Sequence, residues 1–135
     1  KCLVWFYAYP TARIGLSDFA RVIKASKTAT KEAVKTLERR GILHRETIGN
    51  SWILSLEQKH PYILTKKMPY HLSKIYESGI LDAVYNVVPQ ARTIILFGSY
   101  RWGTDDEDSD IDIAVEVVGD QEMRITQLGI IEELG

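Results

Sequence analysis

The residues best equipped for chemistry in this 135-residue chain fall in one run, Ile94 to Val118. Ile94-Ile95-Leu96-Phe97 is short, apolar and β-branched, the composition of a buried strand. It passes directly into Gly98-Ser99, where the lack of side-chain bulk lets backbone N–H groups approach an anion closely. After ten intervening residues comes Asp110-Ile111-Asp112, which leads into a second apolar run, Ile113–Val118. Side chains two apart on a strand share a face, so Asp110 and Asp112 are expected side by side. Two carboxylates that close repel each other unless a cation lies between them, and a divalent metal is the usual solution. An anion cradle next to a metal-binding carboxylate pair is equipment for a nucleoside triphosphate.

The elements that must position this run can be followed along the second half of the chain. Apolar residues from Tyr70 to Val88 recur at close to helical spacing, with Gly79 placed to bend or divide the helix and Pro89 to end it. A strand over Thr93–Phe97, a turn with a short helix, a strand over Ile111–Val118 and a final helix over about Gln121–Leu134 complete the pattern. This is an α/β (α+β) arrangement with a small mixed sheet flanked by helices. Asp105, Asp106, Glu107 and Asp108 read as a solvated loop, and Glu57–Pro69, with Pro61, Pro69 and Lys66-Lys67, as a connector.

The first half is patterned differently. Lys1–Tyr9 reads as an aromatic helix that Pro10 closes, and Ser17 is placed to cap a second helix with Phe19, Ala20 and Ile23 on its buried face. The turn Ala25-Ser26-Lys27 precedes a longer helix, Thr28–Arg40, closed by Gly41. Thr30, Ala33, Val34 and Leu37 share one face of it, while Thr28, Lys31, Lys35 and Arg39 lie roughly opposite. Two strand-like runs, Ile42–Thr47 and Ser51–Leu56, are joined by Ile48-Gly49-Asn50 and read as a hairpin.

Charge divides the same way. Residues 1–67 carry thirteen Lys/Arg against five Asp/Glu, a net of +8, and residues 68–135 carry four against thirteen, a net of −9. A basic half suited to a polyanion and an acidic half suited to metal or a basic partner follow, although mutual attraction across an interface explains the split equally well. The expected division is 1–60, a connector at 61–71, and 72–135. Cys2, the single cysteine, excludes an internal disulfide and a Cys-based zinc site, and His44, His60 and His71 show no ligand spacing. No apolar run approaches membrane-spanning length and no cleavage signal is visible, so a cytoplasmic location without membrane attachment is expected. The chain does not begin with Met, as expected of a piece of a longer protein.

Residues 3–57, with the run Leu16 to Leu43 at their centre, resemble a winged helix-turn-helix domain of three helices plus a β-hairpin. The resemblance implies that double-stranded DNA is a partner, with Thr28 and Lys31 reaching base edges and Lys27, Lys35, Arg39 and Arg45 meeting phosphates. Winged helices also dock proteins, and the aromatic first helix could serve a homodimer. Residues 72–135 resemble the nucleotidyltransferase fold of the DNA polymerase beta superfamily, most closely its minimal branch. Gly98-Ser99 with Gly103, and Ser109-Asp110-Ile111-Asp112, fill that branch's two motifs.

By that resemblance Gly98 and Ser99 hold the β- and γ-phosphates of an NTP, ATP first among them. Asp110 and Asp112 are then the catalytic carboxylates that bind Mg²⁺ or Mn²⁺. Arg101 would neutralise phosphate, although the family's arginine more often stands one place later, where this chain has Trp102. Tyr100 and Trp102 are candidates for stacking on a base or for packing against the neighbouring domain. The implied reaction transfers a nucleoside monophosphate to a hydroxyl on a protein, such as a toxin partner, or on a small molecule. A third carboxylate, expected on a later strand, is not evident in these residues, and Glu116 lies one pair too far along to replace it. The alternative is a transcriptional regulator whose transferase-like half only binds nucleotide or mediates assembly.

Overall fold

The computed structural model of the chain describes residues 1–119, 123–126 and 128. It begins with helix α1 (Cys2–Ala8), a two-residue strand β1 (Ile14–Gly15), and helices α2 (Leu16–Val22) and α3 (Lys27–Arg39). A hairpin of β2 (Leu43–Ile48) and β3 (Ser51–Leu56) follows, turning on Gly49-Asn50 alone. β1 pairs antiparallel with β3, which gives the sheet order β1-β3-β2. Phe6, Phe19, Val34, Ile42, Leu43 and Leu54 are buried together as the core of this part. The periodicity of α3 places Thr30 and Val34 in that core, and Ser26 accepts a hydrogen bond from the Ala29 N–H as its N-cap. At its other end Gly41 and Ile42 N–H bond back to the Glu38 and Leu37 carbonyls, the closing pair of a Schellman turn.

Two details of this half differ from expectation. Gly15, not Ser17, occupies the N-cap of α2, because β1 runs into the helix with no intervening turn. Ser17 stands exposed inside the first turn. The strand β1 was not anticipated, since a two-residue element exists only by pairing Ile14 and Gly15 with Leu54 and Ile53.

The stretch expected as a connector is the first part of a 17-residue helix, α4 (Pro61–Glu77). Prolines made it look broken, but Pro61 sits in the first turn, where a missing N–H costs nothing. The His60 side chain accepts from the Tyr62 N–H there, at 3.1 Å. Pro69 lies inside the helix on its exposed side, while Ile63, Lys67, His71 and Ile75 are buried at four-residue spacing along the other. Ile63 joins the core of the first half and Tyr70 packs on Tyr7, with ring centroids 5.4 Å apart.

Gly79 then divides the helical run, and α5 (Ile80–Val87) follows with Ile80 and Val84 buried. β4 (Ala91–Phe97) leads into α6 (Gly98–Trp102), a single short turn, and β5 (Asp112–Val117) returns antiparallel to β4. The sheet of this half was expected to be mixed; among the described residues it is an antiparallel pair. Ile94, Leu96 and Ile113 face α4 and α5, lining an open apolar groove with Leu72, Ile75 and Leu81. By strand alternation Ile95, Phe97, Asp112, Ala114 and Glu116 occupy the opposite face. The final helix expected over about Gln121–Leu134 falls for the most part outside the described residues. Among the described residues no helix is long and apolar enough to cross a membrane.

Candidate active site

β4 and β5 pair with Phe97 opposite Asp112, so the last residue of one strand and the first of the other meet at one end of the sheet. The chain leaves Phe97 extended and enters Gly98 with φ of +72°, a conformation that glycine adopts without penalty. The Asp112 side chain fills the space beside Gly98. A Cβ built on Gly98 would lie 3.0 Å from the Asp112 Cγ and closer still to Oδ2. The glycine therefore serves both backbone and carboxylate. α6 begins at Gly98, so its first-turn N–H groups and the half-buried Ser99 follow directly on the residue that Asp112 touches. Because α6 has only five residues, little helix dipole develops at its N-terminus. The Ser99 carbonyl accepts from the N–H groups of Gly103 and Thr104, which closes the turn.

Asp110 is placed differently from expectation. β5 begins at Asp112, so Asp110 lies in the exposed approach to the strand and not on its face. Among the described residues no three His, Cys, Asp or Glu side chains gather as a metal site. Of the expected pair, Asp112 is the carboxylate that stands against Gly98, and a single carboxylate beside a turn is a partial ligand set for a hard divalent cation. Mg²⁺ is commonly held by one or two carboxylates and completed by substrate phosphate. Arg101 Nη1 lies 3.6 Å from the Met68 sulfur on α4, and its guanidinium sits 4.9 Å from the Trp102 ring centroid. Trp102 is exposed, whereas Tyr100 stacks flat on His71, with centroids 3.8 Å apart and planes 12° from parallel. Burial first, then the Asp105 charge and Tyr70, push the Tyr100 hydroxyl up to about 12.

The loop from α6 to β5 is not uniformly solvated. Asp105 is 6% exposed and pairs with Lys67 Nζ at 2.9 Å, itself 1% exposed on α4. His71 Nε2 lies 3.5 Å from the same Asp105 oxygen. Gly103, at φ +70°, backs onto Met68 and Lys67. Asp106, Glu107 and Asp108 are exposed, with Asp106 and Ser109 closing a small turn through a 2.7 Å hydrogen bond. The Glu107 carboxylate accepts from the Thr11 N–H and hydroxyl in the first half.

Residues 79–135 match the family model described as a nucleotidyltransferase domain. No curated protein and no solved structure matches the chain. The matched segment contains Gly98, Ser99, Asp110 and Asp112, and begins after the helix that supplies Lys67 and His71. Sequence reasoning missed Lys67, His71 and Asp105 as a group. The available signal was the spacing of 63, 67, 71 and 75, which puts two ionisable side chains on an apolar helix face.

The basic residues of the first half surround a different feature. Lys31 and Arg45 lie 4.9 and 4.3 Å from the Trp52 ring centroid, which joins α3 to the hairpin. Arg45 also pairs with Glu38 at 2.9 Å, Lys35 with Glu32 at 2.8 Å, and Arg39 folds back on the Lys35 carbonyl. Lys27 and Thr28 are exposed in the first turn of α3.

Proposed function

We propose that the nucleotidyltransferase domain transfers a nucleoside monophosphate from an NTP to an acceptor hydroxyl, and that the basic half is a winged helix that binds double-stranded DNA. The observation that carries the first part is the Asp112 carboxylate seated against Gly98, where an anion cradle and a cation ligand adjoin. In this reading Gly98 and Ser99 hold the terminal phosphates, and Asp110 and Asp112 hold Mg²⁺. When bound, that ion supplies charge neutralisation and alignment of the reacting phosphorus. Ser99 orients a phosphate through its hydroxyl, while Arg101 reaches one only by leaving Met68. Trp102, exposed at the end of α6, is an aromatic side chain accessible to a base. Tyr100 is committed to His71.

DNA binding is supported by the eleven Lys/Arg against five Asp/Glu, a net of +6, on residues 1–60 and by three helices followed by a hairpin. The exposed Lys27, Thr28 and Lys31 on α3 are its proposed contacts, with Arg45 and Trp52 forming the adjoining hairpin surface. Lys35 and Arg39 are engaged within α3 and contribute charge more than reach.

The test combines calorimetric titration of Mg²⁺–ATP with transfer of label from α-labelled ATP to acceptors, including the product of a neighbouring gene. Asp112→Asn is expected to abolish Mg²⁺-dependent binding and labelling together. Binding without transfer to any acceptor favours the nucleotide-sensing regulator, and Mg²⁺-independent binding unaffected by Asp112→Asn overturns the site.

A further inference from the structure

We propose that Lys67, His71 and Asp105 form a buried clamp that positions the loop carrying the nucleotide-site residues, and that protonation of His71 loosens it. The consequence for nucleotide rests on the site read above, but the clamp itself does not.

Lys67 and His71 occupy the middle of the buried stripe that Ile63 and Ile75 begin and end. Burying ionisable groups there is costly, and apolar residues of similar size would commonly give equal or greater stability. What a buried ion pair adds is directional geometry. Lys67 Nζ donates to the Asp105 carbonyl at 2.8 Å as well as pairing with its carboxylate at 2.9 Å. His71 Nδ1 lies 3.0 Å from the Tyr100 carbonyl while its ring stacks on that of Tyr100. Gly103 packs its Cα face on Lys67 and Met68 between these two grips. One helix thus fixes residues 100, 103 and 105, a segment with Gly98-Ser99 at one end and Asp110–Asp112 at the other. That helix contributes from outside the matched domain, which begins at residue 79.

The proton dependence follows from donors and acceptors. A carbonyl only accepts, so His71 carries its proton on Nδ1. In the neutral ring Nε2 is then an acceptor, and it faces another acceptor, Asp105 Oδ2, at 3.5 Å. Among the described residues the other carboxylate oxygen, Oδ1, is buried without a hydrogen-bond partner. A proton entering at Nε2 would give Oδ2 a donor, but it would place a second positive charge beside Lys67 in a site with a single carboxylate among the described residues. The groups facing the ring are Asp105 from the loop, Tyr100 from α6, and Lys67 and Tyr70 from α4. Burial holds the imidazolium below its ordinary range, in keeping with this balance. At neutral pH the clamp is one cation on one anion; acid adds a charge that nothing in the cluster offsets.

The experiment is residue-resolved amide hydrogen exchange on the full chain, together with Mg²⁺–ATP affinity by calorimetry. The double variant Lys67→Met/Asp105→Asn removes both charges at similar size. It is expected to stay folded, to exchange residues 99–111 about tenfold faster relative to α3, and to bind Mg²⁺–ATP about tenfold more weakly. Wild-type exchange and affinity in that variant would overturn the proposal. A second measurement needs no variant. In the wild type, protection of 99–111 is expected to fall more steeply than that of α3 between pH 7.5 and 5.5, and parallel loss in both would overturn the proton dependence. Should the wild type bind no Mg²⁺–ATP, the nucleotide reading fails and the exchange data alone decide the clamp.

Discussion

The Asp112 carboxylate lies in the space that a side chain on Gly98 would occupy, across the last rung of the β4–β5 pair. The left-handed backbone at 98 and the carboxylate at 112 are therefore one device. Gly98→Ala meets two penalties: about 1–2 kcal/mol for the left-handed conformation, and displacement of Asp112 from the turn. We expect a modest fall in the urea midpoint. Mg²⁺–nucleotide affinity, read by calorimetry, should fall by more than about tenfold, since a cradle shifted by an ångström no longer presents its groups together.

Gly103 makes a separate prediction. Its φ is +70°, and a Cβ there would stand 3.4 Å from Met68 Cγ, at the edge of ordinary contact, so the cost lies mainly in the backbone. Gly103→Ala should cost about 1–2 kcal/mol in equilibrium unfolding. It should also raise amide exchange across 99–111 without touching the first-half core.

Stability should depend on pH through His71. Its folded-state value is lowered from 6.5, chiefly by burial, so the unfolded chain binds the proton more readily. The stabilisation is complete above 6.5 and is lost as pH falls through the lowered value. Glu32, Glu57 and Glu77 are lowered from 4.5 chiefly by their hydrogen-bonded neighbours, so their losses come at lower pH. Urea unfolding at pH 7.5, 6.5 and 5.5 should show a decline that His71→Asn flattens, because Asn keeps a donor toward Tyr100 but cannot titrate.

DNA affinity should fall steeply with salt. Lys31→Ala removes one cation from the exposed face of α3 and its contact with Trp52. The slope of log K against log salt should drop by about one, similarly for specific and unrelated duplexes if the contact is to phosphate. A loss confined to one DNA sequence would put Lys31 on a base edge, the role the winged-helix resemblance implies for it. Fluorescence anisotropy across a salt series reads both outcomes.

Local pattern carried much of the architecture. The stripe of Thr30, Val34 and Leu37, the Gly49-Asn50 turn, the break at Gly79 and the apolar bursts before Gly98 and after Asp112 each depend on near neighbours. Near neighbours are what residue spacing records. β1 was illegible because two residues acquire strand geometry only from the free edge of β3. The helix across Pro61–Pro69 was hidden because proline reads as a breaker until the burial of Ile63, Lys67 and His71 fixes which side of the helix faces inward.

The site divides along the same line. Residue types and spacing alone nominated Gly98, Ser99, Asp110 and Asp112 and the phosphate-and-metal chemistry they could share. Only the folded chain decided that Asp112 touches the glycine while Asp110 stands before the strand. It also brought Asp105, which reads as one more acidic loop residue, onto a lysine 38 positions earlier. Charge patterns report what a residue carries. Whether that charge is solvated or buried depends on which distant surface closes over it, and here that surface is α4.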